Sequence, residues 1–84
     1  MNVYFITFRS VTPAQRGENV LQKNGIRCAL QRTPHWMEEK GCGYCLRLRS
    51  DGIGPAIQLL RGNRIPFRRV YRQMTDGSFE ELVL

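Results

Sequence analysis

Three cysteines and one histidine are the side chains of this 84-residue sequence best suited to nucleophilic or metal chemistry. Cys42 and Cys45 lie close together in the segment Cys42-Gly43-Tyr44-Cys45, and His35 precedes them. A structural zinc site needs four ligands, and Cys28 has the spacing of a core position in a different segment, so we expect no metal. An odd number of cysteines predicts reduced thiols, as in the cytoplasm, rather than a framework of disulfides.

Cys42 is the candidate reactive thiol, because Gly41 and Gly43 on either side leave its sulfur accessible. The alternative is a small residue at the start of a strand. Cys45 is interpreted first as a small residue on a sheet and second as a resolving thiol, since in an extended segment the two sulfurs point to opposite faces. His35 is interpreted as a loop anchor, with a place over the Cys42 sulfur as the alternative.

The pattern of apolar residues, caps and glycines predicts the element order β-α-β-β-α-β. The predicted strands cover residues 3–8, 26–31, 44–49 and 65–73, the predicted helices cover 13–24 and 55–60, and a long loop covers 32–43. With right-handed crossovers this order gives an α+β, ferredoxin-like fold, in which two helices cover one face of a four-stranded antiparallel sheet. We expect a single domain over residues 1–75, with residues 76–84 as an acidic and apolar tail or an additional edge strand.

The chain is basic, with 13 Lys and Arg against 7 Asp and Glu and a formal net charge of +6, which predicts an anionic ligand or an acidic partner. The predicted topology brings the loops at residues 9–12, 32–42 and 61–64 to one end of the sheet. Arg9, Lys40, Arg61 and Arg64 should therefore lie near Cys42. These cations and the N-terminus of the first helix would lower the pKa of the thiol and stabilise an anion bound to it.

A different function is a module that binds RNA or another anion. RNA-recognition modules share this topology, and Arg27, Arg47, Arg49 and Arg68 are predicted to line the open face of the sheet. Against this hypothesis, Cys42 stands where the RNA-binding motif has a stacking aromatic ring.

The longest apolar run, residues 3–8, is much shorter than the roughly 18 residues of a membrane span. No charged region precedes it, so we expect no signal peptide and a cytoplasmic protein. We also expect no cofactor.

Several short segments together resemble the small bacterial family described as selenium/sulfur carrier protein-like, over about residues 3–72. They are the first strand with the residues after it (4–12), Asn24-Gly25-Ile26, Thr33-Pro34, Cys42-Gly43, Leu46-Arg47 and Val70-Tyr71. The resemblance implies that Cys42 carries sulfur or selenium, as a persulfide or selenosulfide, between donor and acceptor proteins. It implies a carrier rather than an enzyme with turnover of its own, and association of copies through the C-terminal tail is a further expectation.

Overall fold

The computed structural model of the protein describes residues 2–34 and 43–83. Its elements, in chain order, are β1 (Asn2–Phe8), α1 (Val11–Lys23), β2 (Cys28–Arg32), β3 (Tyr44–Ser50), α2 (Gly54–Gly62), β4 (Val70–Gln73) and β5 (Phe79–Leu82). The prediction of an α+β fold with two helices and an antiparallel sheet is confirmed. The additional strand at the C-terminal end is also present, as β5.

The five strands form one sheet in the order β2-β3-β1-β4-β5, and every neighbouring pair is antiparallel. β1 lies at the centre, as its run of β-branched and aromatic residues predicts. α1 connects β1 to β2 and α2 connects β3 to β4. Alternate residues of each strand point to opposite faces, so each face can be described from the register.

The main core lies between the sheet and the two helices. β1 contributes Tyr4, Ile6 and Phe8, and α1 contributes residues spaced at the helical period, among them Gly17 and Leu21. Ile6, Phe8 and Leu21 are completely buried. Packing around Gly17 is close, because a Cβ there would lie 3.1 Å from a methyl carbon of Leu60.

The two helices end in the same way. Ile26 N–H donates to the Leu21 carbonyl at 2.9 Å after α1, and Ile65 N–H donates to the Leu60 carbonyl at 2.9 Å after α2. This six-to-one hydrogen bond is typical of a Schellman ending, which needs a residue in the left-handed conformation just before its donor.

The residue in that left-handed position differs between the two helices. It is Gly25 after α1, with φ of 80°, and Arg64 after α2, with φ of 57°. Arg64 is the one non-glycine residue of positive φ in the described part of the chain.

β4 is shorter than the sequence predicts, since it begins at Val70 and not at Ile65. Pro66 has no N–H to donate to a ladder, which explains why residues 65–69 are not strand. The segment is nevertheless attached to β1: Arg68 N–H donates to the Thr7 carbonyl at 2.8 Å, and Thr7 N–H donates to the Arg69 carbonyl at 2.8 Å.

β5 brings acidic residues next to arginines of β4 and of the segment before it. Arg72 forms an ion pair with Glu80 at 2.9 Å, and a longer one of 4.0 Å joins Arg69 to Glu81. On the face of the sheet away from the helices, the Phe79 ring packs edge to face on Phe5, with centroids 5.5 Å apart. The acidic segment is therefore part of the sheet and compensates some of the positive charge of its neighbours.

Candidate functional site

The candidate site lies at one end of the sheet, where β1 and β2 finish and β3 and β4 begin; we call it the Gly43 end. Gly43 is buried and directly precedes β3. Its carbonyl accepts a hydrogen bond of 3.1 Å from the Thr33 N–H, which continues the β2–β3 ladder beyond Arg32 and Tyr44. Cys42 is bonded directly to Gly43, so the chain enters the sheet here from the cysteine.

Several predicted site residues lie outside the described residues. They are His35, Lys40, Gly41 and Cys42. Their predicted roles stay predictions, and the rest of the site is built from the residues around them.

A cavity of about 330 Å³ opens at the Gly43 end. Its lining consists of Arg9, Ser10, Pro13, Pro66, Phe67 and Arg68. Ser10 is the N-cap of α1, but its side chain makes no capping hydrogen bond, and the first turn of this helix has no acidic residue. Unsatisfied N–H groups at a helix N-terminus carry partial positive charge, so the helix end and the arginines give this cavity a positive potential.

The structure brings two of the predicted cations to this end through α2. The Arg61 guanidinium lies 5.9 Å from the centre of the Phe67 ring, and Phe67 lines the cavity. Arg64 is exposed and holds the left-handed position after α2. A non-glycine residue in this conformation lowers the stability of the fold, and such residues cluster at functional sites. Arg64 is therefore a candidate functional residue at this end of the sheet.

Arg68 was missed as a member of this site, because the sequence predicts it on the open face of the sheet. The segment before β4 is not strand, so alternation along a strand does not decide the side on which Arg68 lies. Arg68 lines the cavity beside Arg9, together with Pro66 and Phe67. Pro66 is the sequence signal that a regular strand does not begin at Ile65.

Cys28 lies on β2 and is half-buried. Burial, together with the negative charge of Glu18, raises its pKa to about 11. Near neutral pH the Cys28 side chain is therefore a thiol and a poor nucleophile, since the thiolate is the reactive form.

Cys45 is completely buried on the face of the sheet away from the helices, where the register places it between Thr7 and Gln31. Burial raises the pKa of this thiol, and hydrogen bonds from Thr33 and Gln31 to the thiolate oppose the shift only in part. Thr33 Oγ1 is buried without a hydrogen bond of ordinary geometry to any described residue, so it is available to donate to a charged sulfur.

Arg47 and Arg49 lie on the open face as predicted, since they pair with Phe5 and Val3 of β1. Two aromatic rings of that face are covered, since Phe5 is 6% exposed and Tyr71 is 7% exposed, while Phe79 packs on Phe5 and is partly exposed. Recognition of single-stranded RNA relies on rings that are free to stack on bases, and among the described residues of the open face Phe79 is the one aromatic ring that is not buried.

Residues 2–34 and 43–83 contain neither a group of metal ligands nor a membrane-spanning helix. Within this part of the chain no three His, Cys, Asp or Glu side chains are grouped as metal ligands would be. The helices described there are also too short or too polar to cross a bilayer.

Comparison with known proteins adds one match. Neither a curated protein nor a solved structure matches the chain. The model of the family described as "Putative Se/S carrier protein-like" matches residues 3–72. This range runs from the second residue of β1 to the third residue of β4 and includes the lining of the cavity at the Gly43 end and Cys42 itself. The chain therefore belongs to this Se/S carrier protein-like family.

Proposed function

We propose that this protein carries sulfur or selenium on the Cys42 thiolate, between a donor protein and an acceptor protein. The observation that carries the proposal is the state of the other two cysteines. The sequence has three, and the pKa values of the Cys28 and Cys45 thiols are both raised by burial. In a family described by sulfur or selenium carriage, Cys42 is then the residue left to hold the atom.

The transfer needs no redox partner. In the loading step the Cys42 thiolate attacks the terminal sulfur of a persulfide on the donor. The sulfur–sulfur bond of the donor breaks, its electron pair leaves with the donor thiolate, and a new sulfur–sulfur bond forms on Cys42. Delivery is the same exchange with an acceptor thiolate as the attacking group, and a terminal selenium atom follows the same electron count.

The charge at the Gly43 end supports this chemistry. A carrier thiolate and its persulfide are both anions, and nearby cations and helix N-termini stabilise such anions. Arg9 and Arg68 line the cavity there, Arg61 stacks on its wall, and Arg64 follows Asn63, the C-cap of α2. Lys40, from the same loop as Cys42, is proposed to add to this group.

Cys45 is proposed as a resolving thiol in a second mode of delivery. Its sulfur would attack the inner sulfur of the Cys42 persulfide, form a Cys42–Cys45 disulfide and release hydrogen sulfide, and a dithiol reductant would then restore the two thiols. A raised pKa makes this attack slow, which suits a reaction that should not compete with transfer to a partner.

The fold fits a carrier that presents one loop to its partners. We assign strands β2-β3-β1-β4 and the two crossover helices to the ferredoxin-like arrangement, to which β5 is added at one edge. The order of the four strands and the position of both crossovers support the assignment. The thiols also need a reducing compartment, so we place the protein in the cytoplasm.

Intact-mass spectrometry tests the proposal. The protein is incubated with free cysteine and a cysteine desulfurase, freed of small molecules without reductant, and weighed. We expect a gain of one sulfur atom on the wild-type chain and on Cys28→Ser, and none on Cys42→Ser. A gain that persists in Cys42→Ser contradicts the proposal, and so does its absence from the wild-type chain.

A further inference from the structure

β2 is an edge strand, and some of its backbone groups have no partner within residues 2–34 and 43–83. Thr33 N–H donates a hydrogen bond to the Gly43 carbonyl. In an antiparallel pair every second residue forms backbone hydrogen bonds with the neighbouring strand, so on this side of β2 the residues hydrogen-bonded to β3 are Thr33, Gln31 and Ala29. The residues between them, Leu30 and Arg32, turn their N–H and C=O groups away from β3. The described residues provide no hydrogen-bond partner for these outward groups. The outward carbonyl of Cys28, at the start of β2, differs because it accepts a hydrogen bond from the Gln22 side chain.

The surroundings of this edge are strongly basic. A cavity of about 650 Å³ lies along the beginning of β2 and the end of β3, and its charged lining residues are Arg27, Arg47 and Arg49. Among the residues that the structure describes, no acidic one lines it. Glu18 of α1 acts on Cys28 of β2 from the helix-covered side, and the exposed Asp51 follows Ser50 at the end of β3.

The register explains how charge from β3 can reach the edge. Arg47 pairs with Ala29, which is exposed and has only a methyl side chain. The Arg47 guanidinium can therefore extend over Ala29 toward a strand added beside β2. Such a strand would lie two strand spacings, or about 10 Å, from β3. The side chain of an arginine on β3 and that of a glutamate on the added strand are together long enough to meet over β2.

We propose that the free edge of β2 binds an extended, acidic segment of another protein, which adds to the sheet as a further strand. Backbone hydrogen bonds to Leu30 and Arg32 would provide affinity, and glutamate or aspartate facing Arg27 and Arg47 would provide specificity. A second copy of this chain could reach the β2 edge with its own edge strand β5, but β5 is a poor match. Its glutamates, Glu80 and Glu81, are already paired with arginines of the same chain.

This inference gives the carrier a place to hold its partner. β2 is followed by Thr33, whose N–H donates a hydrogen bond to the Gly43 carbonyl. A segment bound along β2 would therefore end near Gly43, the residue that follows Cys42 in the sequence. Docking itself does not need the thiol. Cys42→Ser should bind partners as the wild-type chain does, which separates a failure of this inference from a failure of the proposed function.

The test uses a fluorescein-labelled peptide of alternating glutamate and valine, as long as β2, titrated with the whole protein and with Cys42→Ser. We expect binding by fluorescence anisotropy, and hydrogen exchange should show new protection of the Leu30 and Arg32 amides. Arg47→Glu should weaken binding about tenfold or more, because a charge-assisted contact is replaced by repulsion. Arg16→Glu is the matched control, since Arg16 is an exposed residue of α1 on the side away from Glu18 and Cys28, and it should bind almost as tightly as wild type.

A second measurement does not depend on the folding of any variant. The same peptide with alternate backbone nitrogens methylated keeps its charges but cannot pair as a strand, and we expect it not to bind. Equal binding of the methylated peptide, or of a lysine–valine peptide, overturns the inference. So does tighter binding of poly(U) RNA that protects neither amide, or self-association of the protein that Glu80→Lys abolishes.

Discussion

Replacing Arg64 by glycine should stabilise the fold while removing a cation from the Gly43 end. Arg64 has φ of 57°, whereas Gly25 holds the equivalent position after α1 with φ of 80°. The left-handed conformation costs an L-residue about 1–2 kcal/mol, which Arg64→Gly removes. Glycine also has more conformational freedom in the unfolded chain, which opposes this gain in stability by about 0.4–1 kcal/mol. We therefore expect Arg64→Gly to raise the free energy of unfolding by about 0.5–1 kcal/mol.

The reciprocal change provides the matched control. Apart from the two chain neighbours of Gly25, no described residue has an atom within 4 Å of a Cβ added there, so Gly25→Arg tests the backbone cost without a clash at Cβ. It should lower the free energy of unfolding by about the same amount. Arg64→Ala separates charge from conformation, since it removes the guanidinium but keeps the cost, and its stability should stay near wild type.

Equilibrium unfolding in urea measures these differences as shifts of the midpoint at constant slope. The same samples are alkylated with iodoacetamide, and the rate at Cys42 is followed by peptide mass spectrometry. Arg64→Gly and Arg64→Ala should both slow alkylation of Cys42 near neutral pH, because both lose the cation. The reasoning is refuted if Arg64→Gly is less stable than wild type, and the assigned role of Arg64 fails if neither variant changes the alkylation rate.

Three further predictions concern the core, the thiols and the segment before β4. Gly17→Ala should be less stable by about 1 kcal/mol in urea unfolding, because the close contact with Leu60 outweighs the gain of about 1 kcal/mol in helix propensity; equal or higher stability would contradict the packing described. Alkylation of Cys28 should keep rising about tenfold per pH unit toward pH 11, whereas an exposed thiol levels off near its usual pKa of about 8.5; a plateau below pH 9 would show that burial does not protect it. Thr7→Val should cost about 1–2 kcal/mol and expose the Arg69 amide to hydrogen exchange, since the Thr7 hydroxyl accepts from that N–H at 3.0 Å, while Thr7→Ser should keep the amide protected.

The order of the elements could be predicted from the sequence because each carries a local signal. The alternation of Ile26, Cys28 and Leu30 with Arg27 and Ala29 correctly separates the two faces of the second strand, although the structure begins it at Cys28. Helix ends were visible for the same reason, since Asn24-Gly25 and Gly62-Asn63 are local stop signals, although the left-handed conformation of Arg64 was not predicted. Residues close in sequence determine such features.

Contacts between distant residues could not be predicted in this way. The bond between Thr7 and Arg69 joins residues 62 positions apart, and the pair of Arg72 with Glu80 depends on the register of β4 against β5. At the candidate site, the topology predicted which loops share one end of the sheet, but not that Arg68 lines a cavity there. Its placement depends on where Pro66 interrupts the strand.

The central position of β1 has a consequence for synthesis on the ribosome. β1 is made first, yet its two neighbours are β3 and β4, and β4 ends at Gln73. The most apolar strand of the sheet therefore waits for nearly the whole chain before both of its edges are paired. Non-local pairing of this kind slows folding, so the nascent chain should depend on α1 to cover the apolar side of β1 until the later strands emerge.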